Sequence, residues 1–324
     1  MEYLSLIKQP IIAELEAYEK LFAASLASSN PLLNQVIAHI RRKSGKMMRP
    51  MLVMLMAKLY GEVSTTTHHA AVALELLHTA SLVHDDVVDE SNERRGQPSV
   101  NAAFNNKVAV LTGDYILSSA LCQVGLTNNF EIFKVVSLLG QELADGELLQ
   151  LSNVSNTHFS IDVYFEIIRK KTASLFAACT KAGALSATSS DEKVEKARKF
   201  GEYIGLCFQI KDDIFDYFDD AEIGKPTGND MREGKLTLPL LCALNITRDE
   251  KAMALAMKVK SGCATADEIA TLVRFTKDNG GIEQAEQTMA SFRSQALSLL
   301  ATEPNDEVKQ ALTAYLDYVI ERKK

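Results

Sequence analysis

Two acidic clusters dominate the chemistry this chain can offer: Asp85-Asp86-Val87-Val88-Asp89 and Asp212-Asp213-Ile214-Phe215-Asp216. Both have the spacing DDxxD. Both follow mostly apolar runs, Ala-Ser-Leu-Val-His and Cys-Phe-Gln-Ile-Lys. At ~100° per residue on a helix, the first and last aspartates of a cluster share a face one turn apart, with the middle one on the flank. Three carboxylates so placed repel each other, and a divalent cation relieves the repulsion. Oxygen-only donors suit Mg²⁺, which keeps several waters and takes one or two carboxylates plus phosphate oxygens. Zinc wants His or Cys, and neither cluster supplies a set. A single DDxxD also fits a solvated acidic helix end. With each charged type at about 6% of a chain, the motif arises by chance only about 0.07 times at this length, so two copies ask for a common cause. Asp85, Asp86, Asp89, Asp212, Asp213 and Asp216 are therefore the candidate metal ligands. A diphosphate with bound Mg²⁺ would fit between two such clusters. No GxxxxGK[ST] is present and no GxGxxG follows a strand, so this is phosphate chemistry without a P-loop.

A diphosphate needs cations beyond the metal. Lys46 and Arg49 stand at i and i+3 in Gly-Lys-Met-Met-Arg-Pro, so they can share a helix face. Arg94-Arg95-Gly96 follows the first cluster, Lys170-Lys171-Thr172 lies in an otherwise apolar helical stretch, and Lys225 and Lys235 flank the glycine-containing loop after the second cluster. Each alone reads as a surface cation. Beside acidic clusters in an acidic chain they read as anion ligands, Arg for bidentate phosphate contact and Lys as a movable point charge. His78 precedes Asp85 by seven residues, on the same face two turns deeper. A hydrogen-bonded core histidine and a ligand are both open readings for it. His68 and His69 are expected to be exposed.

These groups must be carried by helices. Segments 11–26, 50–60, 67–89, 105–124, 131–151, 163–185, 190–217, 236–244, 267–279, 282–300 and 306–321 read with helical period, and no long segment alternates with period two. Seven prolines and 16 glycines punctuate 324 residues sparsely. The fold class expected is all-α, one domain over 1–324. With 35 basic and 42 acidic side chains the net charge is −7, which argues against nucleic-acid partners. Five scattered cysteines without CxxC read as buried, reduced thiols, hence a cytoplasmic location. The N-terminal stretch lacks the pattern of a signal peptide, and no run of about 20 apolar residues is seen, so stable membrane insertion is not expected.

With these residues in view, the chain closely resembles the all-trans isoprenyl diphosphate synthases, the polyprenyl synthetase family. The matching stretches are GKMMRP at 45–50, LLHTASLVHDDVVDESNERRG at 76–96, LTGDYILS at 111–118, KKTASLF at 170–176, FQIKDDIFDY at 208–217 and GKPTGNDMREGKLTLP at 224–239. The resemblance implies antiparallel helices around a central cavity, usually a homodimer. It implies Mg²⁺-dependent condensation of isopentenyl diphosphate onto an allylic diphosphate, with two or three Mg²⁺ per site. By resemblance, Asp85, Asp86, Asp89, Asp212 and Asp213 hold the metal, with Asp216 assisting. Arg94, Lys171, Gln209, Lys225 and Lys235 bind the allylic diphosphate, with Thr172 positioning the reacting groups. Lys46, Arg49, His78 and Arg95 hold isopentenyl diphosphate.

Product length follows from what lies below the first cluster. Short-chain relatives place a bulky aromatic there as a floor. This chain has Ala80 and Ser81, then Leu77 and Leu74, so the expected product is long, about C30 to C50, such as a quinone side chain. Small residues that merely permit close helix packing are the alternative. A geranylgeranyl or farnesyl diphosphate synthase, a terpene cyclase and a non-catalytic subunit of a two-component synthase are the rival functions. The complete second cluster and the isopentenyl-binding cations speak against the last two. Transient membrane contact for release of the greasy product is compatible with the sequence.

Overall fold

Helical periodicity in the chain becomes seventeen α-helices and one two-stranded hairpin in the computed structural model, which describes residues 2–42, 45–154, 159–188, 190–218 and 227–322. In order these are α1 (Glu2–Lys8), α2 (Ile12–Ser25), α3 (Pro31–Arg41), α4 (Met48–Tyr60), α5 (Thr65–Val88), β1 (Glu93–Arg94), β2 (Gln97–Pro98), α6 (Val100–Ala103), α7 (Asn106–Gly125), α8 (Phe130–Val154), α9 (Ile161–Ile168), α10 (Ser174–Leu185), α11 (Asp191–Phe215), α12 (Asn229–Arg232), α13 (Leu238–Thr247), α14 (Glu250–Lys260), α15 (Ala266–Asp278), α16 (Gly281–Leu300) and α17 (Asp306–Glu321). The all-α expectation holds.

The chain divides into two compact units. The first comprises Met1–Gly140, Leu175–Gly201 and Glu303–Tyr315, the second Gln141–Ser174, Glu202–Thr302 and Leu316–Lys324. In the first unit α4 is apolar all round, with Met51 through Ala57 at 0% exposure, which marks it as a core helix. α5 packs against both α4 and α7. It starts on a reciprocal cap: Thr67 N–H donates to Ser64 Oγ and Ser64 N–H to Thr67 Oγ1, a device that contributes about 1 kcal/mol. Gly113 lets α7 approach α5, since a Cβ there would lie 2.3 Å from His84 Nε2. In the second unit α13 plays the core role, with Leu238 through Leu244 buried, and α15 opens on a Thr265–Glu268 capping box.

Several elements escaped the sequence reading. α3 starts at Pro31 behind Asn30, whose Oδ1 accepts from the Leu32 and Leu33 amides. The hairpin pairs Arg94 with Gln97 and is too short to have a period. It turns on Arg95 and Gly96, both with left-handed φ (55° and 72°), as a two-residue hairpin turn requires.

Three expectations need correcting. Asn106–Leu126 is long and apolar enough to cross a membrane by length and composition, with mean hydropathy 1.3, because Lys107 and Asp114 are its only charges. It packs along α5 instead. The thiols are not all buried: Cys122 and Cys263 are exposed, while Cys179, Cys207 and Cys242 are inside. His68 and His69 are half-buried and bonded to Glu14 O and Gln123 Oε1.

Candidate active site

In the first unit the acids sit at the C-terminal end of α5. Asp85 is half-buried and Asp89 exposed, its N–H donating to Asp85 O at 2.8 Å. Asp86 is 2% exposed. The hairpin delivers Arg94 to it: Nε donates to both carboxylate oxygens at 2.8 Å, and Nη2 lies 2.8 Å from Oδ1. Deleting Arg94 would leave a buried charge alone, a cost of ~3–5 kcal/mol. So Asp86, predicted as a metal ligand, is engaged by Arg94 here.

A cavity of about 350 Å³ in this unit is lined by Gly45, Glu75, His78, Asp86, Arg94 and Arg95, among others. A Cβ on Gly45 would lie 3.2 Å from an Arg95 guanidinium nitrogen, so the 45–49 segment meets the hairpin turn here. Arg49 stacks over Phe176, 5.7 Å from the ring centroid, and its Nε is buried without a hydrogen-bond partner. Burial, then Arg49, Arg95 and Arg94, push the His78 imidazole well below its ordinary pKa. It is therefore neutral at physiological pH. Burial, then Arg49, also lowers the pKa of Arg95. Arg49, His78 and Arg95 are thus brought together, with Lys46 exposed next to Gly45. Such an arrangement of crowded guanidinium groups suits a multiply charged anion.

The second unit holds the other set. Between α9 and α10 the chain makes a π-helical turn, Arg169–Ala173, a feature common at functional sites. The wider turn re-aims Lys170, Lys171 and Thr172. Gly146 of α8 permits it, since a Cβ there would lie 2.9 Å from Lys170 Cβ and from the Lys171 amide nitrogen. Lys171 pairs with Glu147 at 2.5 Å, whereas Lys170 turns to Asp145 and Glu166. Thr172 Oγ1 donates to Gln209 Oε1 (2.7 Å), and Gln209 Nε2 donates to Asp213 Oδ1 (2.8 Å). Tyr164 Oη donates to the other oxygen of Asp213 at 2.5 Å. Asp216 accepts the Asn229 and Asp230 amides and so anchors α12, while Asp212 pairs with Arg322 at 2.6 Å. Lys171, Thr172, Gln209, Asp213, Asp230 and Lys235 line a cavity of about 200 Å³. Lys225 lies outside the described residues.

Burial disfavours the charged form of these carboxyl groups. Burial, then Asp230, pushes Asp213 up to about 8; burial, then Asp216, pushes Asp230 up to about 7. Burial also raises Asp212 and Asp216. For Asp213 the folded state binds a proton that the unfolded state, with a value of 3.8, releases. Its contribution is fully present below the unfolded value and is lost as pH rises toward about 8. The melting temperature of metal-free protein should therefore fall by several degrees between pH 5 and pH 8.5, and Asp213→Asn should flatten that fall. A melting profile that rises over the same window in differential scanning calorimetry would contradict this.

Among the described residues no three His, Cys, Asp or Glu side chains converge into a ready-made metal cage. The donor chemistry nonetheless fits Mg²⁺. The second cluster offers oxygen donors only, Asp213 buried and Asp212 and Asp216 half-buried, and Mg²⁺ completes its shell with water and phosphate.

Tyr164, Asp230 and Arg322 were missed from sequence. Asp230 carried a signal, an acid inside a loop flanked by cations. Tyr164 and Arg322 carried none, because they reach Asp213 and Asp212 from 49 and 110 residues away. Of the residues proposed to set product length, Ala80 is sealed at 1% exposure. Ser81 is half-buried, its Oγ donating to His78 O.

The polyprenyl synthetase family model matches residues 30–275. The all-trans-nonaprenyl-diphosphate synthase (geranyl-diphosphate specific) of Rhodobacter capsulatus is 34% identical over 320 residues, 98% of this chain and 97% of that protein. The crystal structure of geranylgeranyl pyrophosphate synthase from Bacteroides thetaiotaomicron is 58% identical with a TM-score of 0.88, over 99% of this chain and 100% of that one. Polyprenyl synthase from Caulobacter crescentus CB15, complexed with calcium and isoprenyl diphosphate, is 30% identical with a TM-score of 0.91, over 99% and 98% of the two chains.

Proposed function

The chain belongs to the polyprenyl synthetase family, and we propose that it condenses isopentenyl diphosphate onto an allylic diphosphate to build a long all-trans polyprenyl diphosphate. One observation carries this reading: each unit has its own cation-lined cavity, one lined by His78, Arg94 and Arg95, the other by Lys171 and Lys235. Two sets of cations suit two diphosphate substrates; a terpene cyclase, with one substrate, needs one set.

The reaction breaks the allylic C–O bond, and the electron pair leaves with the diphosphate. Asp85 and Asp89 in the first unit, with Asp86 in support, and Asp212 and Asp213 in the second, with Asp216 in support, are the residues that would hold Mg²⁺, which would supply positive charge against the growing negative charge. Lys171 and Lys235 bind the departing group electrostatically, and Gln209 and Thr172 orient it through their mutual hydrogen bond. Lys46, Arg49 and Arg95 hold isopentenyl diphosphate, and neutral His78 offers a hydrogen bond without charge. The double bond of the bound isopentenyl diphosphate is the nucleophile that captures the allylic cation. A proton then leaves the new cation, with the departing diphosphate as its acceptor.

A long product is supported by the small side chains at 80 and 81 and by the kinship with the nonaprenyl synthase. A C20 product is the second reading, favoured by the 58% identity to the geranylgeranyl pyrophosphate synthase structure. Radiolabelled isopentenyl diphosphate, Mg²⁺ and each allylic primer, followed by chromatographic sizing, separates the two. No elongated product with any primer would overturn the function itself.

We further propose a homodimer in the cytoplasm. Val110, Leu117 and Leu121 recur on one face of α7, and Leu111, Phe130, Phe133 and Leu138 are exposed as well. This apolar surface exceeds what scattered exposure explains. Leu117→Glu with Leu121→Glu should convert a dimer to a monomer in sedimentation; a wild-type monomer would refute the proposal. The exposed free thiols of Cys122 and Cys263 suit a reducing compartment.

A further inference from the structure

Lys260 ends α14 and is 6% exposed. It lines the same cavity as Lys171, Thr172, Gln209, Asp213 and Lys235. The other two lysines are already matched, Lys171 by Glu147 and Lys235 by Glu233. Among the described residues Lys260 has no hydrogen bond or ion pair from its side chain. A lysine is rarely so covered unless it is paired; here the stem is buried while Nζ is not fully buried and keeps access to the solvent of the cavity. Partial burial lowers its pKa.

A structural explanation is available and falls short. A lysine in the last turn of a helix interacts favourably, though weakly, with the helix dipole. Exposed Lys258, two residues earlier, already supplies that charge in water while pairing with Glu268. The dipole gives no reason to draw Lys260 inside. A ligand does. A diphosphate carries more negative charge than two half-neutralised lysines can balance, and the uncompensated cation in this cavity is Lys260.

We propose that Lys260 is a third lysine for the diphosphate group in the second unit, a binding residue that is unpaired until the substrate arrives. This rests on the function proposed above. The two are separable by experiment because binding can be measured without turnover. The chain has no tryptophan, so calorimetry is the method of choice, with inorganic pyrophosphate plus Mg²⁺ as the probe.

Lys260→Met should weaken pyrophosphate binding by about tenfold, the size of one lost charge-assisted hydrogen bond. The KM for the allylic diphosphate should rise in parallel with little change in kcat. The same variant should melt at a slightly higher temperature, since it removes an unpaired, partly desolvated charge. Lys260→Arg should retain most of the binding. A purely structural lysine predicts the reverse: lower stability and unchanged pyrophosphate affinity. Equal affinity of Lys260→Met and wild type overturns the inference, and so does a methionine variant that fails to fold. If wild-type protein binds no pyrophosphate and makes no prenyl product, the proposed function falls and takes this inference with it. If wild type binds and turns over while Lys260→Met matches it, only the role of Lys260 is lost.

Discussion

Asp85→Ala and Asp212→Ala should each lower turnover by on the order of a hundredfold or more, the loss typical when one preorganised stabiliser of developing charge is removed. That corresponds to about 2.7 kcal/mol of transition-state stabilisation. The effect should fall on kcat, because the diphosphate gains charge as it departs. Far-UV circular dichroism should be unchanged for Asp85→Ala, since Asp85 is half-buried at the end of an established helix. Asp212 is paired with Arg322, whose guanidinium also sits 3.9 Å over the Phe208 ring. Some loss of stability is therefore expected in Asp212→Ala, and Arg322→Ala serves as its control. If Arg322→Ala loses stability but keeps turnover, the catalytic loss belongs to the carboxylate. Asp86→Ala makes a poor test of metal binding, because it strands Arg94. Near-normal turnover in Asp85→Ala or Asp212→Ala would remove the metal role from that cluster.

Ser81→Phe should shorten the product to C20 or less, and the structure makes it a cleaner test than Ala80→Phe. Around the axis of α5, Ser81 lies about 40° from Asp85 and Ala80 about 140° from it. Ser81 is half-buried, so an aromatic ring there has somewhere to go. Ala80 is 1% exposed, and forcing a phenyl ring into that position should cost ~1–3 kcal/mol by overpacking. Ala80→Phe is therefore expected to lower the melting temperature whatever it does to chain length. If Ser81→Phe leaves the sized products unchanged under radiolabelled assay, the first helix does not set the floor. The C20 reading would then need a stop elsewhere, among side chains that carry no length signal in the sequence.

Much of the fold was legible because long helices announce themselves. α5, α7, α8, α11 and α16 each run 20 residues or more, long enough for the 3.6-residue period to accumulate. Asp306–Glu321 was read to the residue. What failed was short or locally ambiguous. The hairpin has two residues per strand, and α14 is an 11-residue helix in a stretch without a motif. The π-helical turn is invisible to periodicity, because it adds one residue to an otherwise continuous 163–185 segment. That one residue re-aims Lys170 toward Asp145 and Lys171 toward Glu147.

The sequence alone determined the types of group available and their local spacing: two DDxxD clusters on helix ends, and the cations that accompany them. Local spacing follows from helix geometry, which is the same in every helix. Only the tertiary structure decided which groups are charged and which are already engaged. Asp86 belongs to Arg94, Asp216 to the amides of α12, and Asp212 to Arg322, while burial pushes the His78 pKa down and the Asp213 pKa up. Those states depend on burial and on partners far away in the chain, as Tyr164 is from Asp213. Desolvation and Coulomb interaction act through space, and nothing in the linear order of residues encodes that distance.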